Sequence, residues 1–274
     1  MTAVNRTERF ATISSGVRLH YKLHGLPGLP WVVLLNGLLS SSAMWAGLIS
    51  SITSFCRVLT FDSRGQGSSD APLDGPYTVQ LLAQDTQELL QILNIQQPWL
   101  VGLSIGSSVG LELLAAHPGL FKGAVLASAV SFVDFSMQLR LRHWLHCLEV
   151  GGVQMQFDAA APYIWGDRFL KQRFNILKKY YLSDQKYTSN ALIDLRYQIV
   201  GAMFWDIRPK LCNVEEPVLI LMGGKDLLTP AWMGLELAKL IKRSKFEVIQ
   251  EASHTFPVES PSIFAKRIRS FITE

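Results

Sequence analysis

The residues Gly102-Leu103-Ser104-Ile105-Gly106 follow a β-rich apolar run, Trp99 to Leu103, and precede a helix-period segment, Ile105 to His117, that stops before Pro118. A strand that becomes a helix across one serine must turn sharply, and small flanking residues let the backbone fold tightly enough to do so. The turn lifts the serine hydroxyl above the sheet edge, and the following helix aims its N-terminal amides at an oxyanion forming there. The five residues therefore require a parallel βα arrangement and make Ser104 a candidate nucleophile.

The rest of the chain reads consistently with that requirement. Val17 to Leu23 alternates as an early strand, and Trp31 to Leu35, Arg57 to Phe61 and Gly123 to Ser128 are short apolar runs suited to a buried parallel sheet. Thr78 to Leu93 places Val79, Leu82, Leu89, Leu90 and Leu93 on one helical face. From Asp134 to Asp206 the strand rhythm stops, and the segment reads as several helices rich in large apolar residues. It resumes with a strand at Val218 to Met222, a helix from Ala231 to Ile241, a strand at Phe246 to Gln250, and a last helix carrying Phe264, Ile268 and Phe271. The expected fold is α/β, a mostly parallel central sheet flanked by helices, with core residues 1–133 and 208–274 and an inserted helical cap at 134–207. Over 274 residues, 49% hydrophobic content against 18% charged excludes a disordered chain.

A serine hydroxyl needs a base within hydrogen-bond reach and a carboxylate to orient that base. Of the 6 histidines, His254 alone sits in a loop between a late strand and the last helix. His20 and His24 belong to an early strand and its exit, and His117 ends a helix. His143 and His146 lie one turn apart without a third ligand, so no metal is expected. Asp226 follows the strand at 218–222, at the carboxyl end where α/β sheets place their sites, with Asp134 as the competing acid. Asp62, in Asp62-Ser63-Arg64-Gly65-Gln66-Gly67-Ser68, reads as a structural turn acid. The oxyanion donors expected are the amides of Ile105 and of Leu38, in the loop after the strand at 31–35. Substrate contacts are expected from Asn36 in that loop and from the cap aromatics Trp144, Trp165, Phe169 and Trp205.

With these motifs on the page, the chain resembles the capped α/β-hydrolase superfamily from about Val17 to its C-terminus. Leu35-Asn36-Gly37 stands where many relatives carry His-Gly, Asp62 to Ser68 resembles their DxRGxGxS turn, and Gly224-Lys225-Asp226 and Ser253-His254 resemble their acid and histidine loops. The segment Phe61 to Leu93 is similar to 3-oxoadipate enol-lactonase-like esterases and lactonases. Two features depart: Asn-Gly is also seen in enzymes resembling 3-hydroxyacyl-carrier-protein acyltransferases, and Gly106-Ser107-Ser108 replaces the common double glycine.

The resemblance implies a serine hydrolase, without a cofactor, acting on a small-molecule ester, lactone or thioester with an apolar acyl part. The alternative keeps the acyl-enzyme but transfers the acyl group, with an acidic acyl-carrier protein docking on the cap. Charge partition motivates it, since Leu139 to Lys210 holds 11 Lys or Arg against 6 acids, Arg140, Arg142, Arg168, Lys171, Arg173, Lys178 and Lys179 among them. A non-catalytic module, a lyase and a cofactor-free oxygenase or peroxidase on the same fold are the remaining readings. A net charge of +4 without a dense basic run excludes nucleic acid. The 3 scattered cysteines, the polar N-terminus and the lack of a long apolar stretch point to a cytoplasmic chain without a transmembrane segment.

Overall fold

The computed structural model describes residues 9–184 and 189–273; residues 1–8 of the polar N-terminus read above lie outside them. Along the chain come β1 (Arg9–Thr12), β2 (Arg18–His24), β3 (Trp31–Leu35), α1 (Ala46–Ile52), β4 (Arg57–Phe61), α2 (Val79–Ile92), β5 (Trp99–Leu103) and α3 (Ile105–Ala116). They are followed by β6 (Gly123–Ala127), α4 (Phe135–Ile164), α5 (Asp167–Asp184), α6 (Ser189–Ala202), β7 (Val218–Gly223), α7 (Ala231–Leu240), β8 (Ser244–Ile249), α8 (Phe256–Glu259) and α9 (Pro261–Ile272). The strands form one sheet in the order β1-β2-β4-β3-β5-β6-β7-β8. It is parallel from β4 to β8, and β1 and β2 are antiparallel at one edge.

Helices cover both faces, which is why the central strands read as unbroken apolar runs. Val33, Leu35, Leu100, Leu126 and Ile220 point into the core under α2, α3 and α7, where Leu89, Leu111 and Leu237 meet them. Their neighbours Val32, Leu34, Val101, Val125 and Leu221 point into the opposite core, closed by Leu48 and Ile52 of α1 and by Phe264 and Ile268 of α9. Strand β1 had no signal in the sequence: of its four residues only Ala11 is buried, so the edge strand shows no alternation to read.

The three helices α4 to α6 lie between β6 and β7. Their neck is closed by an antiparallel bridge of Phe132 with Asp206, the Val133 amide donating to the Trp205 carbonyl at 2.9 Å and Ile207 to Ser131 at 3.0 Å. Asp134 caps α4, its Oδ1 accepting from the Met137 amide at 2.7 Å. Helix α4 breaks at Gly152, whose φ of 67° is open to glycine at no steric cost, and restarts in a new direction.

Two contacts tie the turn after β4 to its surroundings. The buried Arg64 guanidinium donates to both carboxylate oxygens of Asp85 on α2, at 2.5 and 2.6 Å. Tyr77 receives α6: its amide donates to the Tyr197 carbonyl at 3.1 Å, and its hydroxyl donates to Pro72 at 2.8 Å and to Asp194 at 3.4 Å. A Cβ on Gly201 would collide with the Tyr77 carbonyl, so α6 packs there only because residue 201 is glycine.

Burial pushes the Asp194 carboxyl up to about 6, against the Tyr77 hydrogen bond that pulls it down. The folded chain therefore holds a proton on Asp194 where the unfolded chain, with an aspartate near ~3.9, has released it. Stability must fall as pH rises from the unfolded to the folded value. Urea unfolding of Asp194→Asn should lose this decline, the variant being more stable than the parent at neutral pH and converging with it in acid. Parallel pH profiles would show that Asp194 does not titrate as described.

Candidate active site

Ser104 joins β5 to α3 with φ 56° and ψ −120°, a conformation that L-residues avoid. Three features hold it there. The Ser104 amide donates to the Ala127 carbonyl of β6 at 3.0 Å, and the fully buried Ser107 hydroxyl donates to the same oxygen at 2.9 Å. A Cβ on Gly102 would lie 2.6 Å from the Ser107 amide nitrogen. One on Gly106 would collide with the Leu35 carbonyl at the end of β3. Serine at 107 thus fits because its hydroxyl has a backbone acceptor.

His254 is 3% exposed in the loop between β8 and α8. Its Nδ1 lies 2.9 Å from Asp226 Oδ2 and 3.1 Å from Thr229 Oγ1, while Asp226 also accepts from the amides of Leu228 and Thr229 at 2.9 and 2.8 Å. The Thr229 hydroxyl lies 2.7 Å from Asp226 Oδ2. Burial works to raise the Asp226 carboxyl, but His254 and the Thr229 donors outweigh it and hold it below the ordinary carboxylate range. With Nδ1–H donated to a carboxylate, Nε2 is the basic nitrogen of the ring. The loop is fixed from both sides: Ser128 donates to the His254 carbonyl at 2.8 Å, and the Thr255 hydroxyl to Ile164 of α4 at 2.9 Å. Asp134, the competing acid, is occupied as the cap of α4.

Ser104 and His254 border one cavity of about 320 Å³ between the sheet's carboxyl edge and helices α4 to α6, lined mainly by apolar side chains. Leu38 and Ile105 border it as well, and among the described residues neither amide has a backbone acceptor. Trp144, Trp165 and Trp205 also line it. The Trp205 ring is fixed by its indole N–H, which donates to the buried Glu112 of α3 at 2.9 Å.

Two expected contacts are corrected. Phe169 stands outside the lining, stacked on Trp165 with centroids 5.4 Å apart. Asn36 does not face the cavity at all: its amide donates to Phe61 at 2.8 Å and Gln66 at 3.2 Å, and its oxygen accepts from Trp45 Nε1 at 2.9 Å. Asn36 is a buttress. From it a chain of buried amides runs on, with Gln66 donating to the Gly37 carbonyl at 3.1 Å and Gln198 of α6 accepting from the Leu39 amide at 3.2 Å. This network sets the Gly37-Leu38-Leu39 loop. Asp62, read as a turn acid, accepts from the amides of Ser42 and Ser68 at 2.7 and 3.0 Å.

Sequence reasoning passed over Thr229, Gln156 and Gln198. A turn after Asp226 was findable, since a loop aspartate commonly accepts from backbone amides just ahead of it, but the threonine hydroxyl at 229 was not. Single glutamines within helices carry no such signal.

Residues 30–261 match the alpha/beta hydrolase fold family. The chain belongs to that family. This α/β hydrolase is 26% identical over 269 residues to RutD of Caulobacter vibrioides, described as a carbamate hydrolase, covering 96% of this chain and 98% of that one. It is 27% identical to 3-oxoadipate enol-lactonase 2 of Acinetobacter baylyi, covering 90% of each chain. The crystal structure of the enol-lactonase from Burkholderia xenovorans LB400 superposes with a TM-score of 0.84 at 26% identity, over 97% of this chain and 100% of that one. The relatives are hydrolases by name, and this α/β hydrolase is an enzyme. Among its described residues no helix is long and apolar enough to cross a membrane.

Because the seat of α3 depends on Gly106, Gly106→Ala should cost about 1–3 kcal/mol of stability and slow labelling of Ser104 by a fluorophosphonate by about 10²-fold. Urea unfolding and intact-mass kinetics read the two effects. Parental behaviour in both would show that the elbow tolerates a side chain there.

Proposed function

We propose that this chain is a serine hydrolase that cleaves an ester, lactone or thioester with an apolar acyl part through an acyl-enzyme on Ser104. The observation that carries the reading is the pairing of His254 with an ionised Asp226 on the wall of the cavity that Ser104 borders. In this mechanism His254 Nε2 takes the Ser104 proton as Oγ attacks the substrate carbonyl. The amides of Ile105 and Leu38 receive the oxyanion, worth roughly 10² to 10³ in rate per donor. Collapse expels the leaving group, which takes the proton from His254. Water, deprotonated by His254, then releases the acid and restores Ser104.

Water is favoured over a second acceptor by two things. The relatives' names describe hydrolysis of lactones and carbamates. Part of the basic charge between Leu139 and Lys210 is also answered within the chain, by Lys178 with Asp158 at 3.0 Å, Arg208 with Asp206 at 2.6 Å and Lys210 with Glu112 at 3.2 Å. Both observations weigh against an acidic carrier protein as the partner.

Intact-mass spectrometry after fluorophosphonate treatment should show one adduct on the parent and none on Ser104→Ala, with p-nitrophenyl ester turnover lost in the variant. Asp226→Asn should lower kcat by roughly 10⁴ through the wrong tautomer of His254. Asp134→Asn should leave kcat within about threefold, since asparagine caps a helix as well as aspartate does. Undiminished turnover by Ser104→Ala would remove the mechanism. An acyl-enzyme that persists until an alcohol or carrier protein is added would replace hydrolysis by transfer.

A further inference from the structure

The restart of α4 after Gly152 turns Gln156, Phe157, Ala160, Ala161 and Ile164 toward the cavity. Gln156 is 1% exposed and, among the described residues, is the one carboxamide in that lining. Its Oε1 accepts from the Tyr181 hydroxyl at 2.6 Å, so the amide end left over is the donor, and among the described residues nothing accepts from it. A carboxamide nitrogen with so little access to water and no acceptor is uncommon in a folded chain. A second donor, sealed from solvent, lies on the same helix. Trp144 Nε1 is buried without an acceptor, whereas Trp205 spends its indole N–H on Glu112.

A ligand that meets the Gln156 amide must bring an acceptor oxygen. The oxygen it can serve is an uncharged one. Among the described lining residues there is no Lys, Arg, Asp or Glu, so a carboxylate here would lie in an apolar cavity with no counter-charge. A ketone or amide carbonyl meets both conditions.

We propose that α4 carries a polar subsite, the Gln156 carboxamide, for a neutral carbonyl oxygen on the acyl part of the substrate. The preferred substrates are then oxo-acyl esters, lactones or thioesters rather than their plain alkyl or carboxylate-bearing counterparts. This rests on the acyl-enzyme reading and specifies its substrate. Because the carbonyl is held in ground state and transition state alike, the preference belongs in KM more than in kcat.

Three matched pairs of p-nitrophenyl esters test it on the intact enzyme: pentanoate against 4-oxopentanoate, hexanoate against 5-oxohexanoate, and 5-oxohexanoate against hydrogen glutarate, in which a carboxylate oxygen replaces the terminal methyl. At least one oxo ester should exceed its alkyl partner in kcat/KM by about fivefold, chiefly through KM, and the hydrogen glutarate ester should be the poorest of the set. Gln156→Leu and Gln156→Met should bring the oxo-to-alkyl ratio to near one, with Ser104 labelling by fluorophosphonate used to count folded sites. Equal use of oxo and alkyl esters by the parent overturns the subsite without any variant having to fold. So does a hydrogen glutarate ester as good as the ketone, or an unchanged ratio in both variants. If Ser104 takes no label while esters still turn over, the acyl-enzyme reading falls, and the subsite's role in it falls too.

Discussion

A serine held at a φ of 56° is the constraint on which the rest of the site depends. Such a backbone costs on the order of 1–3 kcal/mol, and it persists only where its surroundings leave no alternative. Here they leave none: β3, β5, β6 and α3 meet at one point, with Gly106 against the end of β3 and the Ala127 carbonyl accepting from both Ser104 and Ser107. The strain is offset by burial on both faces of the sheet, so the fold's stability and the exposure of one hydroxyl have a common origin. The same crowding places the first amide of α3 beside that hydroxyl.

Around this point the remaining groups arrive from loops at the carboxyl ends of β3, β7 and β8, each immobilised differently. Asp226 is enclosed by backbone and hydroxyl donors, which keep it charged despite burial. His254 is fastened through its own carbonyl by Ser128. The loop after β3 is held by Asn36, Gln66 and Gln198, the last of them on a helix of the insertion. A movement of α6 would therefore reach the loop that carries the Leu38 amide, which couples the roof of the cavity to its floor.

Much of the architecture was legible in the sequence because it rests on local and periodic signals. The parallel strands, buried on both faces, read as short apolar runs, and the elbow, the loops of Asp226 and His254 and the helical insertion follow from glycines and a loss of strand rhythm. What was not legible depends on long-range pairing. Edge strand β1 is defined by its register with β2 rather than by its own four residues. Asn36 looked like a pocket residue because its loop reaches the site, and only the approach of Trp45, Phe61 and Gln66 shows that its polar atoms are already taken. Phe169 and Trp165 are both cap aromatics, and only the break between α4 and α5 shows which ring faces the cavity. The unspent donors of Gln156 and Trp144 likewise emerge only after every other partner has been counted.

The neck between Phe132 and Asp206 gives the molecule a seam. Its two chain segments leave and re-enter the core side by side, hydrogen-bonded to one another. The core therefore fixes where the insertion is attached, and contacts such as Gln198 with the Leu39 amide and Thr255 with Ile164 hold it over the site. Helices can be lengthened, shortened or exchanged there while the strand order and the elbow stay as they are. A scaffold with such a seam is suited to grafting: new roofs, and with them new acyl preferences, can be joined at one pair of residues.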